Sequence, residues 1–165
     1  MNESDKSPLT LRPAEPADAV AVAEIWRSGW IDGHVGHVPE ELVAVRTPES
    51  FVVRAGERVA DTTVAVVGGR GVVGFVMVVG DEVEQLYVGA ASRGAGVAGA
   101  LLAHAERLGR EAGHERVWLA VASGNARARR FYERQGWVDE GAFDYPAVGP
   151  DGPISVPCHR YVKQL

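Results

Sequence analysis

Apolar and polar positions repeat along this chain with two different periods, and the changes of period divide it into elements. Leu9-Thr10-Leu11-Arg12 alternates and predicts a short strand. Pro16 opens a helical pattern carried by Ala17, Val20, Ala21, Ala23, Glu24, Ile25 and Trp26. Proline suits a first helical turn because its missing N–H would have no partner there. Gly29, Gly33 and Gly36 are expected to break this helix and leave residues 31–39 as a loop. Pro39-Glu40-Glu41 and Thr47-Pro48-Glu49 each have the composition of a helix start, with carboxylates in the first turn where the helix dipole favours them. Residues 40–58 therefore hold one or two short helices. The β-branched runs at 62–67 and 72–79 predict a hairpin around Gly68-Gly69-Arg70-Gly71. Gly80-Asp81 turns the chain into another strand at 83–88. Val97, Leu101, Ala105, Leu108 and Ala112 then recur at helical spacing and predict a helix over 96–112, stopped by Gly113. A strand at 116–122 and a helix at 125–135 follow, the latter closed by Gly136. Residues 137–145 and 155–162 read as a last strand pair around a Pro- and Gly-containing surface loop at 146–153.

The predicted order is β–α–α–β–β–β–α–β–α–β–β. The segment 83–122 is a βαβ unit, whose strands should be parallel and joined right-handedly. The other strands form antiparallel hairpins, so the fold class is α/β in the α+β sense, with a mixed, mostly antiparallel central sheet flanked by helices. Residues 1–8 read as a disordered leader and 9–165 as one domain.

Composition narrows the function. At 165 residues the chain can bury a full core without disulfide or metal staples. Its one cysteine, Cys158, allows no intramolecular disulfide, and a reducing, cytoplasmic setting is expected. The polar start argues against a signal peptide, and no apolar run is long enough to span a bilayer. A net charge of −5 without a basic stripe gives no footprint for nucleic acid. His34 and His37 in a glycine-rich loop lack further ligands at matching spacing, so no metal is expected.

The chemistry concentrates where the strand at 83–88 runs through Gly89-Ala90-Ala91-Ser92 into Arg93-Gly94-Ala95-Gly96-Val97-Ala98 and a helix. Free backbone N–H groups and the positive helix end converge there on an anion. Gly94 and Gly96 permit close backbone approach, and Arg93 adds a forked cation. By itself this supports phosphate binding or a close-packed helix start. A Walker A motif does not fit, since no Gly-Lys-Ser/Thr occurs, and a dinucleotide fingerprint lacks its later acidic residue.

Two blocks make the chain resemble the GCN5-related N-acetyltransferase superfamily. Arg93, Gly96 and Ala98 match that family's Gln/Arg-x-x-Gly-x-Gly/Ala signature, and residues 125–137 match its Asn-x-x-Ala-x-x-Phe-Tyr…Gly-Phe/Trp segment. Leu86-Tyr87-Val88 resembles the family's cofactor strand, and Arg12-Pro13 its opening; the likeness spans nearly all of 9–163. The resemblance implies acetyl-CoA as cosubstrate, bound between strands 83–88 and 116–122 where they splay apart. Leu86, Tyr87 and Val88 would pair with pantetheine, residues 93–98 would hold the pyrophosphate, and Asn125, Ala128 and Phe131 would line the groove. Arg127, Arg129 and Arg130 are candidates for the cofactor's 3′-phosphate, although helix geometry forbids all three facing one way.

The reaction implied is direct transfer of an acetyl group to an amine in a ternary complex. Glu84 is the candidate general base, taken to share a strand face with Leu86, with Glu82 as second candidate and a solvated strand carboxylate as the other reading. Tyr132 matches the family tyrosine that protonates the departing thiolate, and an N–H near Val88 would hold the oxyanion. Trp30, His34 and Tyr145 are expected around the acceptor, a small-molecule or peptide amine; Trp26 and Trp30 equally suit a core. Cys158 reads as a core residue. A non-catalytic acyl-CoA-binding module and a homodimer through the C-terminal hairpin edge both stay open.

Overall fold

The computed structural model describes residues 8–165. All but Pro8 of the expected leader falls outside that range. The described chain forms seven strands, β1 (Leu9–Pro13), β2 (Thr62–Val67), β3 (Gly71–Val79), β4 (Glu82–Val88), β5 (Arg116–Ala122), β6 (Val138–Ala147) and β7 (Ile154–Gln164). They make one sheet in the order β1-β2-β3-β4-β5-β7-β6. Every neighbouring pair is antiparallel except β4–β5, which is parallel as the βαβ reading requires. The mixed sheet flanked by helices is the expected fold class.

Helices α1 (Ala19–His34), α2 (Glu40–Val45) and α3 (Pro48–Glu57) cover one face, where Trp26, Leu42, Phe51, Phe75 and Met77 are buried together. Helices α4 (Val97–Glu111) and α5 (Ala126–Arg134) cover the other, around Leu101, Leu102, Val117, Tyr132 and Tyr161. Thr47 caps α3 by accepting from the Ser50 N–H at 3.2 Å, and Pro48 follows in the first helical turn.

One helix end differs from expectation. α1 continues through Gly29 and Gly33 to His34, so the predicted loop at 31–39 shrinks to its second half. Both glycines serve packing. A Cβ on Gly29 would run into the Tyr87 ring of β4, and one on Gly33 would lie 2.6 Å from Asn125 Nδ2. Local propensity marks a glycine as a helix breaker, whereas here its missing side chain lets the helix approach the sheet.

Two irregularities in β4 shape the centre of the sheet. Its register with β3 slips between Met77 and Val78, where Met77 faces Gln85 and Val78 faces Val83, leaving Glu84 as the extra residue of a bulge. Its pairing with β5 is reduced to Glu82 opposite Trp118. There the Trp118 N–H donates to the Asp81 carbonyl at 3.0 Å and its indole Nε1 donates to Asp81 Oδ1 at 3.1 Å. Beyond this pinned apex the two parallel strands part, giving the splay the resemblance implied.

Candidate active site

The fork between β4 and β5 opens on two connected cavities. The larger, about 550 Å³, is lined by Leu86, Tyr87 and Val88 on β4, by the loop and first turn of α4, and by one face of α5. Gly94 and Gly96 have φ of 81° and 80°, in the left-handed region glycine tolerates. Among the described residues, no N–H from Gly94 through Gly99 donates to a protein acceptor; the first helical bond of α4 runs from Ala100 to the Gly96 carbonyl at 3.1 Å. These unsatisfied amides, with the positive end of α4, form an anion cradle. Arg93 lines it, steadied by an ion pair with Asp32 of α1 at 3.0 Å.

Arg93, Gly94, Gly96, Val97 and Ala98 line the groove at this point, whereas Ala95 is exposed and adds no side-chain surface to it. Asn125 caps α5, its Oδ1 accepting from the Ala128 N–H at 3.2 Å. Its Nδ2 is left facing Gly33 and the groove. Ala128, Phe131 and Tyr132 line the same wall. Of the three candidate arginines only Arg127 reaches the groove, where Arg134 joins it. Arg129 donates instead to the Ser123 carbonyl and Tyr161 Oη, each at 3.2 Å, and pairs with Asp139.

The unpaired edge of β4 carries a donor. Gly89 N–H donates to Val73 O on β3 at 2.8 Å. Backbone direction alternates along a strand, so the N–H of Val88 projects the other way, into the fork.

The second cavity, about 290 Å³, lies on the α1–α3 face. Trp30, His34 and Tyr145 line it, together with Glu82, Glu84, Arg46, Arg54 and Arg58. Leu86, Tyr87, Asn125, Ala128 and Tyr132 border both cavities, so this is where they meet.

The face expected for Glu84 is wrong, and the bulge is the reason. Leu86 and Val83 both pack with the α4 side, so Glu84, inserted between Val83 and Gln85, is displaced to the α3 side. There Arg58 Nε and Nη2 donate to the two Glu84 oxygens at 3.2 and 3.4 Å. Glu82 instead accepts from Tyr145 Oη at 2.7 Å. Burial raises the Glu82 pKa, the Tyr145 hydrogen bond opposes this, and the charges of Glu84 and Asp81 add to the rise.

Burial alone raises the pKa of Tyr132, which keeps its phenol protonated at neutral pH. His34 stacks on Trp30 with ring centroids 4.8 Å apart. Its Nδ1 lies 3.0 Å from the Trp30 carbonyl. Burial first of all lowers it to about 4, so it is neutral. Cys158 is buried and its thiol is pushed up to about 11, chiefly by burial, which leaves no thiolate for nucleophilic chemistry. Among the described residues no three His, Cys, Asp or Glu side chains are grouped to hold a metal.

Sequence reasoning missed Gly29, Asp32 and Gly33 of α1 on the cofactor side, and Arg46 and Arg54 on the other. The four-residue spacing of the two glycines is the one signal the sequence offers, and glycine's helix-breaking propensity masks it. The arginines sit in short helices with no motif around them.

A profile of the Acetyltransferase (GNAT) family matches residues 20–137. No curated protein matches the chain. Among solved structures, a GCN5-related N-acetyltransferase from Rhodopseudomonas palustris is 24% identical with a TM-score of 0.73, covering 100% of both chains. yncA from Salmonella typhimurium, solved with its cofactor acetyl-CoA, is 20% identical with a TM-score of 0.70, over 96% of this chain and 95% of that one. The paiA N-acetyltransferase of Thermoplasma acidophilum, in complex with coenzyme A, is 16% identical with a TM-score of 0.70, over 96% and 99%. At such identities the structures speak for the fold, whereas the profile spans more than half of this chain and includes the anion cradle and α5. The chain belongs to the acetyltransferase (GNAT) family.

Proposed function

We propose that this protein is an acetyl-CoA-dependent N-acetyltransferase that passes the acetyl group directly to an amine in a ternary complex. The observation that carries this reading is the run of unsatisfied amides from Gly94 to Gly99, opening on a groove that continues along the unpaired edge of β4. A pyrophosphate fits the amides, and an extended amide-bearing arm fits a strand edge that lacks its neighbour. Arg127 and Arg134 are placed for a further phosphate.

The second cavity would admit the amine from the opposite side of the fork. Glu82, with its raised pKa, accepts the amine's proton, directly or through water, as nitrogen attacks the thioester carbonyl. Val88 N–H stabilises the oxygen that becomes negative. The C–S bond then breaks and Tyr132, which borders both cavities, donates to the departing sulfur. Products are the N-acetylated amine and CoA thiol, and no group on the protein is acylated. Glu84 has a different part in this reading, since its ion pair with Arg58 makes it a wall of the acceptor cavity.

Calorimetry with acetyl-CoA, followed by thiol-release assays over an amine panel, tests the proposal. Binding with transfer to at least one amine is expected. Tight binding with transfer to none would favour the non-catalytic acyl-CoA-binding reading.

A further inference from the structure

Arg54 of α3 lies with its guanidinium over the Trp26 ring, 4.3 Å from the centroid. Its Nη1 is buried and finds no acceptor among the described residues, and the same holds for Nε of Arg46, at the C-terminal end of α2. Both side chains line the acceptor cavity. A buried guanidinium N–H without an acceptor is unfavourable, and an anionic ligand entering the cavity would supply one.

The charge of Glu84 acts on Arg54, but neither carboxylate of the cavity accepts from the unpartnered atoms. Glu84 is occupied by Arg58 and Glu82 by Tyr145. Three guanidiniums therefore line the cavity against two carboxylates, inside a chain whose net charge is −5. Arg54 is brought down to about 10 by burial first and then by the charge of Arg46, which still leaves it cationic at neutral pH. Like charges gathered in one cavity, within an acidic protein, make an anion subsite.

We propose that the acceptor is a small amine that also carries a carboxylate, with the carboxylate seated on Arg46 and Arg54 and the amine directed to Glu82. The planar forks of two arginines suit a carboxylate. A cavity of about 290 Å³ suits a molecule of amino-acid size better than a polypeptide. The assignment of the amine rests on the acetyltransferase reading; the anion subsite does not.

L-Amino acids, including those with side-chain amines, and their α-carboxamides form matched probe pairs. Each is titrated by calorimetry into the protein saturated with CoA, and each is assayed for thiol release with acetyl-CoA. The acids should include members that bind at least about tenfold tighter than their amides and show a correspondingly lower KM. Arg54→Gln and Arg46→Gln should each bring that ratio towards one without changing acetyl-CoA affinity. Arg54→Lys, which keeps the charge and loses the fork, should retain part of it. Thermal melts verify folding, and Arg46→Gln carries the test if Arg54→Gln does not fold. Equal binding of amides and acids, no binding by any acid, or a preference that survives both substitutions would each overturn the subsite. Arginine-dependent binding of acids without thiol release keeps the subsite and refutes the acetyl transfer. Transfer to amides as readily as to acids does the reverse.

Discussion

Replacing Gly29 by alanine sets two opposing effects against each other at a known place. Alanine in a helix interior is favoured over glycine by about 0.5–1 kcal/mol. Against this, the added Cβ would lie 3.0 Å from Tyr87 Cε1 and 3.2 Å from Cγ, and closer still to Cδ1. The clash falls at the root of the ring, where no terminal torsion relieves it, and the ring packs on Phe75 at 5.9 Å between centroids. Overpacking of this kind costs about 1–3 kcal/mol, so Gly29→Ala should destabilise by about 1 kcal/mol net. Gly56, near the end of α3, supplies the contrast, because a Cβ there meets nothing within 4 Å. Gly56→Ala should stabilise by up to about 1 kcal/mol. For a chain of this size the two variants should melt on opposite sides of wild type, by roughly 2–4 °C for each kcal/mol. Tyr87 belongs to the β4 arm of the fork, so Gly29→Ala should also weaken acetyl-CoA binding in calorimetry while Gly56→Ala leaves it alone. Parallel stabilisation by both alanines would show that the close approach of α1 to β4 constrains nothing, and the account of these helix glycines would fall.

Three further outcomes follow from the site. Tyr132→Phe should lower kcat by about tenfold to a thousandfold with little change in acetyl-CoA affinity, and unchanged turnover would remove Tyr132 from the chemistry. Glu82→Gln should lower kcat by about a hundredfold or more and abolish the limb over which the rate climbs with pH, while Glu84→Gln should keep that limb and act chiefly on acceptor KM; the opposite assignment would return the base to Glu84. His34, lowered to about 4 in the folded chain from 6.5, refuses a proton that the unfolded chain accepts. Its contribution to stability is therefore intact above about pH 6.5, and up to about 3 kcal/mol is lost as pH falls towards 4, flattening below. Urea titrations at stepped pH should show a shallower acid slope for His34→Gln than for wild type, and equal slopes would mean the imidazole is not held neutral.

The strands and α4 were legible because their signals are local. β-Branched runs bounded by glycine turns located β2 and β3, and the apolar spacing from Val97 to Leu108 located α4 within a residue or two. The anion cradle was legible for the same reason, since its glycines, its arginine and the helix start are contiguous. What escaped depends on contacts between distant segments. Gly29 and Gly33 look like breakers until Tyr87 and Asn125 are seen against them. Arg129 looks like a phosphate ligand until Asp139 and Tyr161 are seen to hold it. Arg46 and Arg54 mean nothing in isolation; that Arg46 Nε and Arg54 Nη1 are buried without an acceptor among the described residues is a property of the folded chain.

The bulge at Glu84 was illegible for a deeper reason, and it decides the roles of the two carboxylates. A strand of strict alternation would place Glu82, Glu84, Leu86 and Val88 on one face, against the apolar side chains under α4. Two carboxylates there would be buried without partners. One inserted residue reverses the parity of everything before it, so Leu86 and Val88 keep the apolar side while Glu82 turns to the α3 side. Glu84, the inserted residue, is caught by Arg58. Glu82 meets a neutral phenol instead, and burial, with the charge of Glu84 beside it, raises its pKa. Two identical side chains two residues apart thereby meet different partners, a guanidinium for Glu84 and a phenol for Glu82, and Glu82 is the one whose burial raises its pKa towards the range a base needs.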